Sequence, residues 1–387
     1  MDHEKNIPRR GSPDFILLFL TFVLVCFGIA MVFSASSMTT SFTRDDPWFF
    51  TKKQIISVII GASCMLIVMN ISYMKLKKLV FPGFLVVLFL LILILFTGEQ
   101  TNGAKSWFYI GNFGLQPSEF AKLNLVLLLA SIISNKNEKF RELLTGIFPA
   151  LVVTFIVCML IIAQPDLGSA IVVFFSAVVI IVIGGSKIKH LLLLLAGLVI
   201  FIFAVYFYFK FTGATIENDY RLQRMVTFMN PWDNQFDSGY QLVQSLLAFG
   251  HGGITGAGFG QGVQKLHYLP EAHNDFIFAI VGEELGFIGV IIFVITYLLM
   301  IWRGIIVSLR SQHMFGMLAG TGIMVMIACQ ALINIGGVTS TLPLTGVTLP
   351  LISYGGTSMM VSLIAIGLVL SISRDQHIHD NNKSTET

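Results

Sequence analysis

The residues best placed for chemistry in this 387-residue chain lie between Leu269 and Gly286, in LPEAHNDFIFAIVGEELG. Glu271, His273 and Asp275 stand where a long polar, glycine-rich segment becomes an apolar helix, and Glu283 and Glu284 follow inside the apolar run. Carboxylates and an imidazole can move protons within hydrogen-bond reach of a substrate. Ionisable groups at the edge of a bilayer or within it are expensive, which makes function the default reading. For Asp275 two readings stay open: an acid that acts on a ligand, or an N-terminal cap, a role Asn274 could share. On a helix starting there, Gly282, Gly286 and Gly289 share its face, which suits close helix packing or room for a ligand. Glu283 and Glu284 are either ligand contacts or members of a buried ion pair, with Lys122 or an arginine of the long loop as partner.

Other candidates are sparser. Glu119 and Lys122 are spaced i, i+3 and can touch, as a structural pair or as an acid and a cation offered to an anionic substrate. Asp166 reads as a first-turn acid facing the positive end of a helix dipole. Arg221 and Arg224, in YRLQRMVTF, are paired cations suited to phosphate. Seven glycines between Gly250 and Gly262 match neither a Walker nor a Rossmann pattern, so tight turning is the reading. The histidines and the four cysteines lack metal-ligand spacing, and the cysteines read as packed thiols.

The elements that hold these residues follow from composition. The chain is 55% hydrophobic and 12% charged, with a net charge of +3 and a mean hydropathy of +0.82. Apolar runs near 20 residues mean an all-α polytopic membrane protein, and no basic block invites nucleic acid. Ten spans are expected, at 15–34, 54–71, 79–97, 117–134, 146–163, 167–184, 190–209, 276–302, 315–338 and 352–372. With the N-terminus inside, the inner segments hold 15 of 24 Lys and Arg and the outer segments eight, four of them in one long loop. Both termini, 1–14 and 373–387, are therefore expected to be cytoplasmic tails. Each even-numbered span has a proline at or before its outer start: Pro47, Pro117, Pro165, Pro270 and Pro350. The large outer loop, 210–275, lies between spans seven and eight. Within it Tyr240, Leu242, Val243, Leu246, Leu247 and Phe249 recur at helical spacing and predict an amphipathic helix on the outer leaflet.

Seven motifs then occur in order: NGAKSW, QPSEFAKL, QPDLGSA, GYQLVQS, GAGFGQG, HNDFIFAIVGEELG and LPLISYGGTS. Together they resemble the SEDS family, the FtsW/RodA/SpoVE proteins of bacteria, over residues 15–372, and the NGAKSW wording points to the FtsW/SpoVE-like branch. The resemblance implies a peptidoglycan glycosyltransferase of the cytoplasmic membrane that polymerises lipid II on its outer face. It implies work beside a class B penicillin-binding protein, the transpeptidase, and other division or elongation membrane proteins. By motif, Asp275 is the family's essential acid and proposed general base. Glu119, Lys122 and Asp166 line the outer cavity, and Ser353, Gly355 and Gly356 belong to the last signature. His273, Glu283, Lys105, Arg221 and Arg224 complete the expected substrate contacts. Many members carry Arg directly before the Trp of NGAKSW, where this chain has Ser106, with Lys105 one position earlier. A divalent cation, magnesium or manganese, is suggested by the resemblance alone. The competing functions are a lipid II flippase and a non-catalytic scaffold for the transpeptidase.

Overall fold

The computed structural model describes residues 11–101, 104–110, 113–187, 189, 228, 230–236 and 239–385. Its long helices are α1 (Phe15–Arg44), α2 (Phe49–Asn70), α3 (Tyr73–Thr97), α4 (Pro117–Lys136), α5 (Phe148–Ala163) and α6 (Leu167–Ile183). After the long loop, whose described part contains α7 (Tyr240–Gly252), come α8 (Ile277–Leu309), α9 (Met314–Val338) and α10 (Gly356–Thr385). Eight of these are long and apolar enough to cross a bilayer, and α6 is a shorter apolar helix. Nine of the ten expected spans thus have a helix, while the seventh, 190–209, lies outside the described residues. The fold is that of an all-α polytopic membrane protein.

Local sequence explains where helices begin. Asp14 caps α1 by accepting from Leu17 N at 2.9 Å, and Asp166 caps α6 by accepting from Ser169 N at 3.0 Å. Pro117 opens α4, where the missing N–H costs nothing. α8 carries exposed Ile288, Ile291, Ile292, Ile295, Leu298, Leu299 and Trp302 on one stripe, the surface a lipid-facing helix presents. α4 and α9 instead bury most of their length inside the bundle. α2 and α10 meet in close approach, since a Cβ on Gly367 would stand 2.7 Å from the Met65 carbonyl oxygen.

Several details depart from the hydropathy reading. Residues 99–115 form a three-stranded antiparallel sheet, β1 (Glu99–Thr101), β2 (Ala104–Ile110) and β3 (Phe113–Leu115), with Phe108 opposite Leu115 and Ile110 opposite Phe113. β1 and β3 are too short to show a period, and β2, AKSWFYI, lacks the strict alternation by which a strand is read. α1 runs ten residues past its expected end at 34, because the polar stretch up to Arg44 is itself helical and packs beside the loop before α8. The last helix starts at Gly356 rather than 352, after Leu351 takes a left-handed φ of 66°, and it continues through 373–385. α8 is broken at Gly286, whose φ of 65° with ψ of -170° lies in a region essentially restricted to glycine.

One end of the bundle collects the segments expected on the inside. Arg303 grips Asp14 with Nε at 3.1 and 3.0 Å and Nη2 at 2.6 Å, and Arg374 Nε donates to the Gly11 carbonyl at 2.9 Å. The candidate site occupies the opposite end.

Candidate active site

Asp275 lies in the turn that leads into α8, whose N-cap is Phe276 with no side-chain cap bond. The Asn274 amide turns to Glu271. The turn is tied down from three sides. Asn334 Nδ2 of α9 donates to the Asp275 carbonyl at 2.8 Å, Tyr354 N donates to the His273 carbonyl at 2.9 Å, and Phe276 is buried. The His273 ring lies 4.1 Å from the Phe50 ring and 5.5 Å from that of Tyr354. Burial pushes its imidazole down to about 4 from 6.5, so at neutral pH it is an uncharged partner rather than a phosphate-holding cation.

The glycine face of α8 is filled rather than open. α7 lays Leu242, Val243 and Ala248 into the bundle, and a Cβ on Gly282 would sit 2.3 Å from the Phe249 ring. The expected surface helix is therefore packed on its neighbours. The glycine-rich loop then crosses α8 at its break, where Phe287 N and Ile288 N donate to the carbonyls of Gly253 and Ile254 at 2.9 and 3.1 Å. Gly256, at φ 83°, permits the contact, since any Cβ there would meet the Glu284 carbonyl oxygen at 2.3 Å.

Glu283 and Glu284 hold this loop. Glu283 Oε1 accepts from Val263 N at 2.7 Å and Gln264 N at 3.2 Å and lies 2.9 Å from His251 Nδ1. Glu284 accepts from Lys265 Nζ at 2.6 Å, from Ser34 Oγ at 2.6 and 2.8 Å, and from Gly260 N at 3.0 Å. The ion-pair partner is thus Lys265 from the loop, not Lys122. Lys122 Nζ instead meets Glu119 Oε1 at 2.7 Å and Gln330 Oε1 at 3.0 Å, all three buried.

Asp166 does more than cap α6. Its Oδ2 also accepts from Gln116 Nε2 and Ser118 Oγ, each at 3.2 Å, joining the starts of α4 and α6. Ser353 sits in the turn before α10, where its Oγ accepts from Leu349 N at 2.8 Å and its carbonyl accepts from Gln54 Nε2 at 3.1 Å. Residues 343–350 form a strap across the site end. Gly168 of α6 packs against Thr345 and Val347. Gln330 Nε2 donates to the Thr348 carbonyl at 3.2 Å and Asn334 Nδ2 to that of Val347 at 2.7 Å.

Comparison with known proteins decides the family. The family model described as cell cycle protein, covering FtsW, RodA and SpoVE, matches residues 15–378. The chain belongs to the FtsW/RodA/SpoVE family. It is 39% identical to stage V sporulation protein E of Bacillus subtilis strain 168, over 95% of this chain and 98% of that one. It is 38% identical to a probable peptidoglycan glycosyltransferase FtsW of Geobacter metallireducens, over 96% and 98%. Both names agree with the branch expected from NGAKSW. Among solved structures it is similar to a chain of a peptidoglycan synthase complex that coordinates polymerization and crosslinking, with a TM-score of 0.78, 28% identity and coverage of 95% and 99%. It is also similar to the rod shape determining protein RodA of Thermus thermophilus, at a TM-score of 0.68, 28% identity and coverage of 95% and 98%.

Seen in this FtsW/RodA/SpoVE chain, the motif residues fall into two groups. Asp275, His273, Glu119, Lys122, Asp166 and Ser353 come together around α9, the strap and the turn before α10. Glu283 belongs to the loop-holding network instead. At the position before Trp107, Ser106 is buried and its Oγ donates to the Gln164 carbonyl at 3.2 Å. Lys105 is on β2, its side chain outside the described part, and Arg221 and Arg224 lie outside the described residues altogether. Among the described residues no group of three or more His, Cys, Asp or Glu gathers as metal ligands. The sequence reading missed Gln330, Asn334 and Gln54. Their one signal was an amide in an otherwise apolar helix, which is costly unless bonded.

Proposed function

We infer that this chain is a peptidoglycan glycosyltransferase, polymerising lipid II into glycan strands at the outer face of the bacterial cytoplasmic membrane. The observation that carries the reading is the meeting, on adjacent turns of α9, of the Asp275 turn and the Glu119–Lys122 pair, in a chain of this family. In the proposed step, the Asp275 carboxylate takes the proton of a sugar hydroxyl on the acceptor. The freed oxygen attacks the anomeric carbon of the donor, and the bond from that carbon to undecaprenyl pyrophosphate breaks. The leaving group departs with the bonding pair, and its negative charge needs a fixed cation nearby. Lys122, held by Glu119 and Gln330, supplies one, and Lys105, Arg221 and Arg224 are the further cations proposed for the diphosphate. His273, uncharged, and Ser353 shape the acceptor side.

The proposed topology has ten spans, the large outer loop between the seventh and eighth, and both termini in the cytoplasm. It is supported by the Lys and Arg tally and by the grouping of Asp14, Arg303 and Arg374 at the end opposite Asp275. A class B penicillin-binding protein is the proposed partner, supported by the likeness to a chain of a peptidoglycan synthase complex. A flippase needs charged groups along a translocation path, yet the deepest carboxylates, Glu283 and Glu284, are occupied in holding a loop.

Reconstitution of the purified chain with a class B transpeptidase and lipid II tests the reading. Glycan polymer that depends on this chain is expected. Lipid II scrambling in liposomes without polymer would transfer support to the flippase, and polymer arising only from a partner would leave a scaffold.

A further inference from the structure

We propose that Asn334, with Gln330 one turn before it, is a positioning residue that sets Asp275 against the Glu119–Lys122 pair during glycosyl transfer. The proposal rests on the glycosyltransferase reading above. Both side chains rise from α9, at i and i+4, and so share a face. Each uses its amide nitrogen on the strap: Asn334 Nδ2 on the Val347 carbonyl at 2.7 Å, Gln330 Nε2 on that of Thr348 at 3.2 Å. Each also reaches one half of the site. Asn334 Nδ2 donates to the Asp275 carbonyl at 2.8 Å, and Gln330 Oε1 accepts from Lys122 Nζ at 3.0 Å. Two neighbouring amides thus connect the general base, the cation and the strap.

Packing alone does not account for Asn334. It is 4% exposed, and its Oδ1 is buried with no hydrogen-bond partner among the described residues. Two carbonyl acceptors at Nδ2 fix which end of the amide is nitrogen. A buried acceptor left unpaired is unfavourable, and an aliphatic side chain would fill the same space without it. What the amide provides that leucine cannot is a pair of bonds that fix the Asp275 backbone. Because a misplacement of about 1 Å can lower turnover about 100-fold, that fixation bears directly on rate.

The test uses the full chain in complex with its class B transpeptidase, fed lipid II. For Asn334→Leu, kcat per folded complex is expected to fall about tenfold or more with KM within about twofold, and the melting temperature to stay within a few degrees. For Gln330→Leu, KM is expected to rise, because Lys122 loses its anchor. Asn334→Ser, whose hydroxyl can make one of the two bonds, should recover part of kcat, and it carries the test if the leucine variant does not assemble. Wild-type kcat per folded complex in Asn334→Leu, or in Asn334→Ser where the leucine variant does not assemble, overturns the proposal. So does a loss that merely tracks the folded fraction. Asp275→Ala is measured in parallel. If it polymerises normally the general-base assignment falls, whereas an inactive Asp275→Ala beside a normal Asn334 variant removes only the positioning role.

Discussion

Two buried lysine–glutamate pairs stand at the same end of the bundle with nearly equal geometry, and their surroundings separate them. Lys265 and Glu284 are 2.6 Å apart, Lys122 and Glu119 2.7 Å. Glu284 is saturated: besides Lys265 it takes Ser34 and the Gly260 amide, and both its oxygens are engaged. Glu119 Oε1 takes Lys122, and among the described residues its Oε2 has no hydrogen bond. A saturated pair has no capacity left for a ligand and serves to clamp the glycine loop to α1 and α8. A pair with an open oxygen keeps capacity for one. Equal distances therefore conceal unequal jobs, and the count of remaining acceptors tells them apart.

The comparison can be broken at several points. Glu284→Ala leaves Lys265 charged and buried without a counter-charge, and a loss of about 3–5 kcal/mol is expected, read by thermal melting. The double variant Lys265→Met/Glu284→Gln should recover much of that stability, and equal losses in the two proteins would contradict the clamp. Lys122→Met should cost less stability, about 1–2 kcal/mol, because Glu119 can recruit water at its second oxygen. Its larger effect should be on polymerisation, and unchanged turnover would place this pair beside Lys265–Glu284 as purely structural. Asp166→Ala loses the α6 cap and the two bonds from Gln116 and Ser118, and should lower stability by about 1–2 kcal/mol, seen as a shift in the melting midpoint.

The effect that is smallest at neutral pH, and grows only in acid, is the pH dependence. His273 binds its proton near pH 4 in the folded chain and near 6.5 once exposed. Between those values the unfolded chain binds more protons, so this group's contribution is complete above 6.5 and declines as pH falls towards 4. His273→Phe should flatten the acid side of the stability–pH curve, and an unchanged slope would mean the imidazole is not held neutral.

Much of this arrangement is legible from residues, because bilayer spans announce themselves by length. Asp275 and the Glu119–Lys122 spacing depend on local sequence alone. The partners of Glu283 and Glu284 are not legible, since they require the glycine loop to fold back so that Lys265, 19 residues away, and Ser34, 250 residues away, arrive together. The Gly286 break is equally hidden, because a glycine in an apolar helix reads as helix packing until a crossing loop demands its positive φ. Gln330 and Asn334 look like isolated polar residues until the strap supplies their carbonyl partners.

The most direct measurement compares glycan polymerisation by the wild-type chain and by Asp275→Ala, each purified with the transpeptidase and supplied with lipid II. The account predicts an intact complex that makes no glycan above background in the variant. Polymer formed at the wild-type rate would contradict the assignment of Asp275 as the base and, with it, the site built around α9.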